Sequence, residues 1–549
     1  MIISLRSIPQ PLPVPSSAPS MAPSYDPRPT LEIVKERGKV RCGMHISQAN
    51  GTFRFRLCQA VAAVALNNPN KVEVINVNAE TRFVKLNDRT ADLLVSGDTY
   101  TIEREFNEAT TGSQFTFSTP YYYDGMLFSG NSTFVTCAEE HKQYHECAQL
   151  VICVTQFTTE YIYVTNHYTT DFSVITAGLG ESIELFYMDI CNVVASGHLD
   201  LINKQKAGII DSTYAFGKKV FTNDPLAFVT RPDDPECSDI VNWATQALFY
   251  GERQGITKNS SMCQRSTSTL NAKWTELNYL NAVYCVGNYA ELYNGSELAV
   301  FERTAINTIN NGTAMLYAIP YGNLDNENGK MFDSVSKTFA TIKRRDSLNC
   351  GLLVMDGYSE DDITESERLF GMGVSYCQTL ASSMLHGNAV NFTAFQNDDV
   401  ALKALNYETI DVLLGVSADM SRNFGSRGLG GVSFSTPYFY GYQTGKNDVS
   451  FYPVMTRQDD RMLSLLLSTI SATSQRIAKK NYYMMPPMTV FGKDMLWALK
   501  DAIAANGNYD EIYISNFDVN AELRGRNYLN SEQQPQFLDL PGLNSFDLT

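Results

Sequence analysis

The chain has 549 residues, more than one hydrophobic core supports, and its 44% apolar residues supply material for several compact units. A formal charge of −16 without a compensating basic block removes the electrostatic footprint that nucleic acid or an anionic membrane would require. No apolar run reaches the roughly 18 residues of a membrane helix, Met1-Ile-Ile-Ser-Leu-Arg is too short for a secretory signal, and Asn544-Ser-Phe-Asp-Leu-Thr lacks the tail of a lipid-anchor signal.

In chain order, residues 1–29 hold a Pro/Ser-rich tract from Pro9 to Pro29 that cannot build a core and predicts an extended linker or stalk. Thr30 to Gly38 predicts a short helix with a Thr cap, an acidic first turn and a Gly stop. A strand over Lys39 to Met44 follows, then a helix over Arg54 to Leu66, a strand from Lys71, a helix over Thr81 to Asp88 and a strand starting at Asp92. Strands alternating with helices predict a parallel sheet covered on both faces. Such sheets bind ligands beyond the carboxyl ends of their strands, which singles out the loops His45 to Thr52 and Ser96 to Arg104. A βα pattern restarts after Val135, and Thr230-Arg-Pro-Asp-Asp returns the chain to the first unit before an amphipathic helix over Val241 to Tyr250.

The sequence repeats itself. Phe117-Ser-Thr-Pro-Tyr-Tyr-Tyr reappears as Phe434-Ser-Thr-Pro-Tyr-Phe-Tyr, an offset of 317, but Thr230-Arg-Pro-Asp-Asp reappears as Thr456-Arg-Gln-Asp-Asp at an offset of only 226. The second copy therefore lacks 91 residues, a block the size of a whole α/β lobe. The first copy should be two-lobed and able to close on a ligand, and the second one-lobed.

Eleven cysteines include no Cys-x-x-Cys pair. Cys42 and Cys58 recur as Cys350 and Cys377, each pair placing one cysteine on a strand and its mate on the next helix, where Cα atoms reach the roughly 5.5 Å of a disulfide; two buried thiols are the alternative. Cys153 and Cys191 lie in strand-like runs and could bridge. Cys137 and Cys147 enclose His141 and His145, so a disulfide-closed loop and a zinc site compete there. An odd count leaves at least one thiol unpaired. Six Asn-x-Ser/Thr sequons, at Asn50, Asn131, Asn259, Asn294, Asn311 and Asn391, together with the cysteines, predict an extracellular or secretory setting and glycosylation.

Leu31-Glu-Ile-Val-Lys-Glu-Arg-Gly, Leu57-Cys-Gln-Ala-Val, Arg82-Phe, Ser96-Gly-Asp-Thr-Tyr-Thr-Ile-Glu-Arg, Tyr122-Tyr-Asp-Gly, Ile152-Cys-Val-Thr-Gln-Phe-Thr-Thr-Glu and Val286-Gly-Asn-Tyr-Ala-Glu-Leu-Tyr follow one another in order. Together they resemble the general L-amino-acid-binding proteins of bacterial ABC importers, in solute-binding protein family 3. The resemblance runs from about residue 30 to 322, with a partial repeat over about 334–543.

It implies an α/β, type II periplasmic-binding-protein-like fold. Residues 30–130 with 231–323 would form lobe 1, residues 131–230 lobe 2, and residues 334–543 a second copy without lobe 2. It also implies that Arg104 receives a ligand carboxylate, with Thr99 and Thr101 donating hydroxyls from the same loop and Thr158 and Thr159 serving from a helix start on the other lobe. Where the family places an acid for the ligand ammonium this chain has Gly197, leaving His198 or Asp200 to substitute. In the second copy Thr99 aligns with Ala418 and Arg104 with Asn423, beside Arg422, which suits a structural or partner-binding module.

The expected function is extracellular or periplasmic-type binding of an amino acid or related small anion, with a membrane transporter or cell-surface protein as possible partner. A cell-surface structural or interaction protein with a decayed pocket is the alternative. Enzymes share the fold, but no Gly-x-Ser-x-Gly, His-Glu-x-x-His or phosphate loop is present, so neither catalysis nor a cofactor or metal is expected.

Overall fold

The computed structural model describes residues 28–45, 51–108, 111–178, 182–206, 208–210, 213–264, 276–300, 303–304, 307–308, 337–354, 360–385, 387, 389–416, 433–442, 449–456, 460–485, 487–488 and 495–517. The Pro/Ser tract up to residue 27, Asn50, Asn311, Ala418, Arg422, Asn423 and residues 445–448 of the stretch Gly445 to Tyr452 lie outside them.

The first unit opens with β1 (Val40–Met44), β2 (Val72–Asn76), β3 (Leu93–Thr99), β4 (Thr116–Phe117) and β5 (Tyr122–Asp124). β1 runs parallel to β2 and β3, as the strand–helix alternation requires. The helix Phe53–Leu66 starts at Thr52, whose hydroxyl accepts the Phe55 N–H at 3.3 Å, and stops at Asn67 in the left-handed region. The second lobe holds β6 (Met126–Gly130), β7 (Val151–Thr155), β8 (Ser173–Ala177), β9 (Val193–Gly197) and β10 (Ala215–Phe216), in the order β10-β6-β9-β7-β8. β11 (Asp224–Thr230) then returns to the first sheet, giving β2-β1-β3-β11-β4 with β5 also on β11.

The lobe limits differ from those expected. β6 belongs to the second sheet and β11 to the first, so the chain crosses near Gly125 and again between Phe216 and Asp224. A wholly buried run such as Met126-Leu-Phe-Ser-Gly130 carries no alternation to announce its sheet, and only its antiparallel pairing with β9 does so. At the crossing, β5 and β11 pair antiparallel with Asp124 opposite Asp224. Tyr121, Tyr122 and Tyr123 are buried packing residues there. Lobe 2 has separate apolar clusters on its two faces, one around Ile152 and Val164 and one around Cys153 and Leu201, so its sheet is covered on both sides.

Residues 337–517 repeat the plan of the first lobe. β12 (Leu348–Leu353), β13 (Val390–Phe395), β14 (Val412–Leu414), β15 (Ser433–Tyr442) and β16 (Val449–Thr456) lie in the order β13-β12-β14-β16-β15, the same path as β2-β1-β3-β11-β4. Side-chain details repeat as well. Asp92 accepts the Arg41 N–H at 2.7 Å and pairs with Arg37; Asp411 accepts the Asn349 N–H at 2.8 Å and pairs with Arg345. Asn288 and Glu291 build a capping box that Asn508 and Glu511 reproduce. Where the first unit sends out lobe 2 between β5 and β11, β15 and β16 pair directly, Tyr442 opposite Val449.

Five disulfides join Cys42 to Cys58, Cys137 to Cys147, Cys153 to Cys191, Cys263 to Cys285 and Cys350 to Cys377. The Cys263–Cys285 bond was not anticipated, and Cys237 is the free, buried thiol. Cys137 and Cys147 are bonded to each other, and His141 pairs with Asp171 at 2.7 Å.

Candidate functional site

A cavity of about 150 Å³ separates the lobes. Its first wall is basic. Arg54, Arg82 and Arg104 all line it and are all buried among the first lobe's elements.

Arg104 sits on the helix Ile102–Asn107, whose start is capped by Thr101 accepting the Arg104 N–H at 3.1 Å. Its Nη1 donates to the Thr99 carbonyl at 2.9 Å and its Nη2 reaches across the cleft to the Phe157 carbonyl at 3.3 Å. Arg82 donates to the same carbonyl at 3.0 Å and stands 3.3 Å from Asp98. Both guanidinium groups lie over the Phe83 ring, at 5.2 and 5.7 Å. Phe157 presents that carbonyl from a left-handed backbone, φ 64°, a conformation that costs a non-glycine residue about 1 kcal/mol. Arg54, 3% exposed, donates through Nη1 to the Ser96 carbonyl at 3.2 Å, while its Nε has no hydrogen-bond partner. The guanidinium presses on Gly97, at φ 87°, where a Cβ would stand 2.4 Å from Nη2. Only glycine suits both that backbone and that contact.

The opposite wall is the start of the helix Thr159–Tyr168. Thr158 caps it, accepting the Tyr161 N–H at 3.1 Å and donating to the Thr155 carbonyl at 2.7 Å. Thr159 meets Thr99 across the cleft, hydroxyl to hydroxyl at 3.2 Å. Glu160 lies in the first turn, where the helix dipole favours a carboxylate.

The hinge closes the cleft with acids. Asp124 accepts the N–H groups of Gly125 at 2.9 Å and Leu199 at 3.1 Å, and burial nonetheless pushes its carboxyl up to about 7. Asp224, buried beside Glu160 and Asp124 and hydrogen-bonded by Thr222 at 2.7 Å, is held well above the usual carboxylate range, chiefly by burial. Asp200 differs. Despite the cost of burial, the Lys204 ammonium at 2.8 Å and the Ser196 hydroxyl at 3.3 Å hold its carboxyl below the usual range.

Of the residues singled out from sequence, Arg104, Thr99, Thr158, Thr159 and Asp200 line the cavity together. Thr101 does not: it is fully buried and its hydroxyl is used as a helix cap, so its expected place among the lining residues is corrected. Asp200 lines the cavity with its charge already matched by Lys204. His198 is not a lining residue; burial holds its imidazole below its ordinary pKa. Arg54, Arg82, Asp124, Glu160, Lys204 and Asp224 were missed. Arg82, Asp124 and Glu160 stood in the motifs that carried the resemblance, so their signal was on the page without a role attached.

No family model matches the chain. Among curated proteins it is 25% identical over 322 residues to the glutamate/glutamine/aspartate/asparagine-binding protein BztA of Rhodobacter capsulatus, covering 53% of this chain and 93% of that one. It is 26% identical over 326 residues to the general L-amino acid-binding periplasmic protein AapJ of Rhizobium johnstonii, covering 53% of this chain and 92% of that one. Over that half, the chain is similar to these two amino-acid-binding periplasmic proteins. Solved structures similar to this chain include a periplasmic binding protein from Brucella ovis with glutathione bound, with TM-score 0.41, 20% identity, and 51% of this chain and 95% of that one covered. Another is a Streptococcus pneumoniae substrate-binding protein bound to L-arginine, with TM-score 0.34, 17% identity, and 42% and 94% covered. The first unit is a two-lobed α/β architecture with one mixed sheet in each lobe. Among the described residues, no helix is long and apolar enough to cross a membrane.

Proposed function

We propose that residues 30–323 bind an amino acid or a related small anion in the interlobe cleft, without catalysis, and that residues 334–543 form a structural or partner-binding module. The observation that carries this reading is the polarity of the cleft. Arginines on the first wall suit a carboxylate, which a guanidinium holds with paired, charge-assisted hydrogen bonds. Acids at the hinge and on the second wall suit an ammonium. The relatives' names support the same ligand class. Arg104 is the carboxylate's partner in this reading, with Thr99 and the helix start at Thr158 and Thr159 as further donors. The setting is extracellular or secretory, supported by the five disulfides and by exposed sequon asparagines Asn131, Asn259, Asn294 and Asn391. A transporter or cell-surface protein would be the partner.

A thermal-shift screen of the twenty L-amino acids tests the reading. Ligand at a hundredfold its Kd stabilises by about 2.7 kcal/mol, which raises Tm by several degrees. Arg104→Ala is expected to abolish that rise. A screen in which no amino acid moves Tm would leave the protein as a structural one with a decayed pocket.

A further inference from the structure

The acid that the ammonium of an amino acid would need is absent at position 197, and the space it would fill is taken. A Cβ at Gly197 would stand 2.9 Å from Asp124 Oδ2 and 3.0 Å from Glu160 Oε1. Two carboxylates from other elements, the hinge strand and the opposing helix start, therefore converge on the bare backbone of Gly197 at the end of β9. Neither has a lysine or arginine partner among the described residues. Asp124 takes backbone N–H groups and Glu160 only the Thr159 hydroxyl, at 3.5 Å. Asp200, by contrast, is matched by Lys204. Across the cavity the buried Arg54 leaves its Nε unpartnered and its guanidinium acts on Asp124 only at a distance. Charge held in a half-buried site without an ion-pair partner is costly unless a ligand completes it.

We infer that Asp124 and Glu160 receive the cationic group of the ligand, the bare backbone of Gly197 leaving room for the two carboxylates to converge. The missing acid is then a relocation of charge, not a loss. A side chain at position 197 would displace the two carboxylates, and an acidic one would add a third like charge beside them. The assignment rests on the amino-acid reading above and specifies which groups discriminate an amino acid from a simple carboxylate.

The full-length protein is titrated calorimetrically with L-glutamate and with glutarate, which has the same two carboxylates and no amino group. If the thermal screen selects another amino acid, that amino acid and its deaminated analogue replace them, as propionate does for L-alanine. The wild type is expected to bind L-glutamate at least tenfold more tightly than glutarate. Glu160→Gln and Asp124→Asn should each weaken L-glutamate tenfold or more and leave glutarate unchanged or tighter. Gly197→Asp should weaken L-glutamate. L-Glutamate binding unaffected in both carboxamide variants, an equal fall for glutarate, or a Gly197→Asp protein that binds L-glutamate more tightly would overturn the assignment. Glu160→Gln, on an accessible helix start, covers the case in which Asp124→Asn folds poorly. A wild type that responds to no amino acid overturns the proposed function itself, and this assignment with it, whereas wild-type binding insensitive to these variants overturns this assignment alone.

Discussion

Asp124 shows how one half-buried side chain can link binding to pH. Burial is the largest influence on it, and Glu160 raises it further, while the backbone N–H groups of Gly125 and Leu199 and the Arg54 guanidinium pull it back; the result is about 7. A proton therefore sits on Asp124 at pH 6 in the unliganded protein. An ammonium bound against it favours the ionised form, so binding should release that proton. The expected outcome is L-glutamate affinity that rises from pH 5.5 to 8, with up to one proton released near pH 6 and almost none at pH 8.5, read from titrations in buffers of different ionisation heat. For folding the sign is opposite. A folded pKa above the ordinary 3.8 contributes stability that is fully present below about pH 4 and lost as pH rises through 7, so Asp124→Asn should flatten that part of the unliganded stability profile. Affinity independent of pH across this window would show that Asp124 does not face the bound cation. Asp224, in register with Asp124, contributes a decline in stability of the same sign.

Elements were more legible in the sequence than their contacts. The first lobe's alternation of strand and helix gave each element to within a residue or two up to β3, because apolar periodicity and turn residues are local signals. The strand-to-helix cysteine pairs were equally legible, since duplication preserved both settings. Two kinds of feature were not. β3 continues through Ser96 to Thr99, read as loop, because its pairing with β11 comes from more than a hundred residues away. Arg54 was not assigned to the cleft, because nothing local to the helix Phe53–Leu66 shows where its guanidinium goes. Its cause is tertiary, the Ser96 carbonyl and the space over Gly97. The disulfides yield a prediction at this scale. Cys350 and Cys377 close a loop with a sequence separation of 27, so replacing both by alanine should cost about 3 kcal/mol in the chain-entropy model. Urea unfolding followed by fluorescence measures it, and an unchanged midpoint would mean that the bond does not form in the native protein.

At the scale of the whole chain, the first unit and residues 337–517 are not independent beads. One continuous buried apolar cluster contains Tyr100, Ile102, Phe106, Tyr123 and Ala227 of the first unit together with Leu352, Tyr376, Phe439, Leu465 and Phe517 of residues 337–517. Ile102 and Phe106 are four residues apart on the helix Ile102–Asn107, and Arg104 projects from the same short helix into the cleft. The C-terminal unit is therefore placed to brace the element that carries Arg104, the proposed carboxylate partner. Among its described residues the C-terminal unit forms a single sheet, and small-molecule pockets usually enclose roughly 70–90% of what they hold, so bracing is the role proposed for it. If the shared cluster couples the two units, the wild type should unfold in a single calorimetric transition. Phe106→Ala removes a fully enclosed ring and should cost about 3–5 kcal/mol. Because that loss falls at the junction, the transition should split in two, and amino-acid affinity should drop although Phe106 does not line the cavity. Two resolved transitions already present in the wild type, with Phe106→Ala lowering only the first unit's and leaving affinity intact, would reduce the C-terminal unit to a passenger.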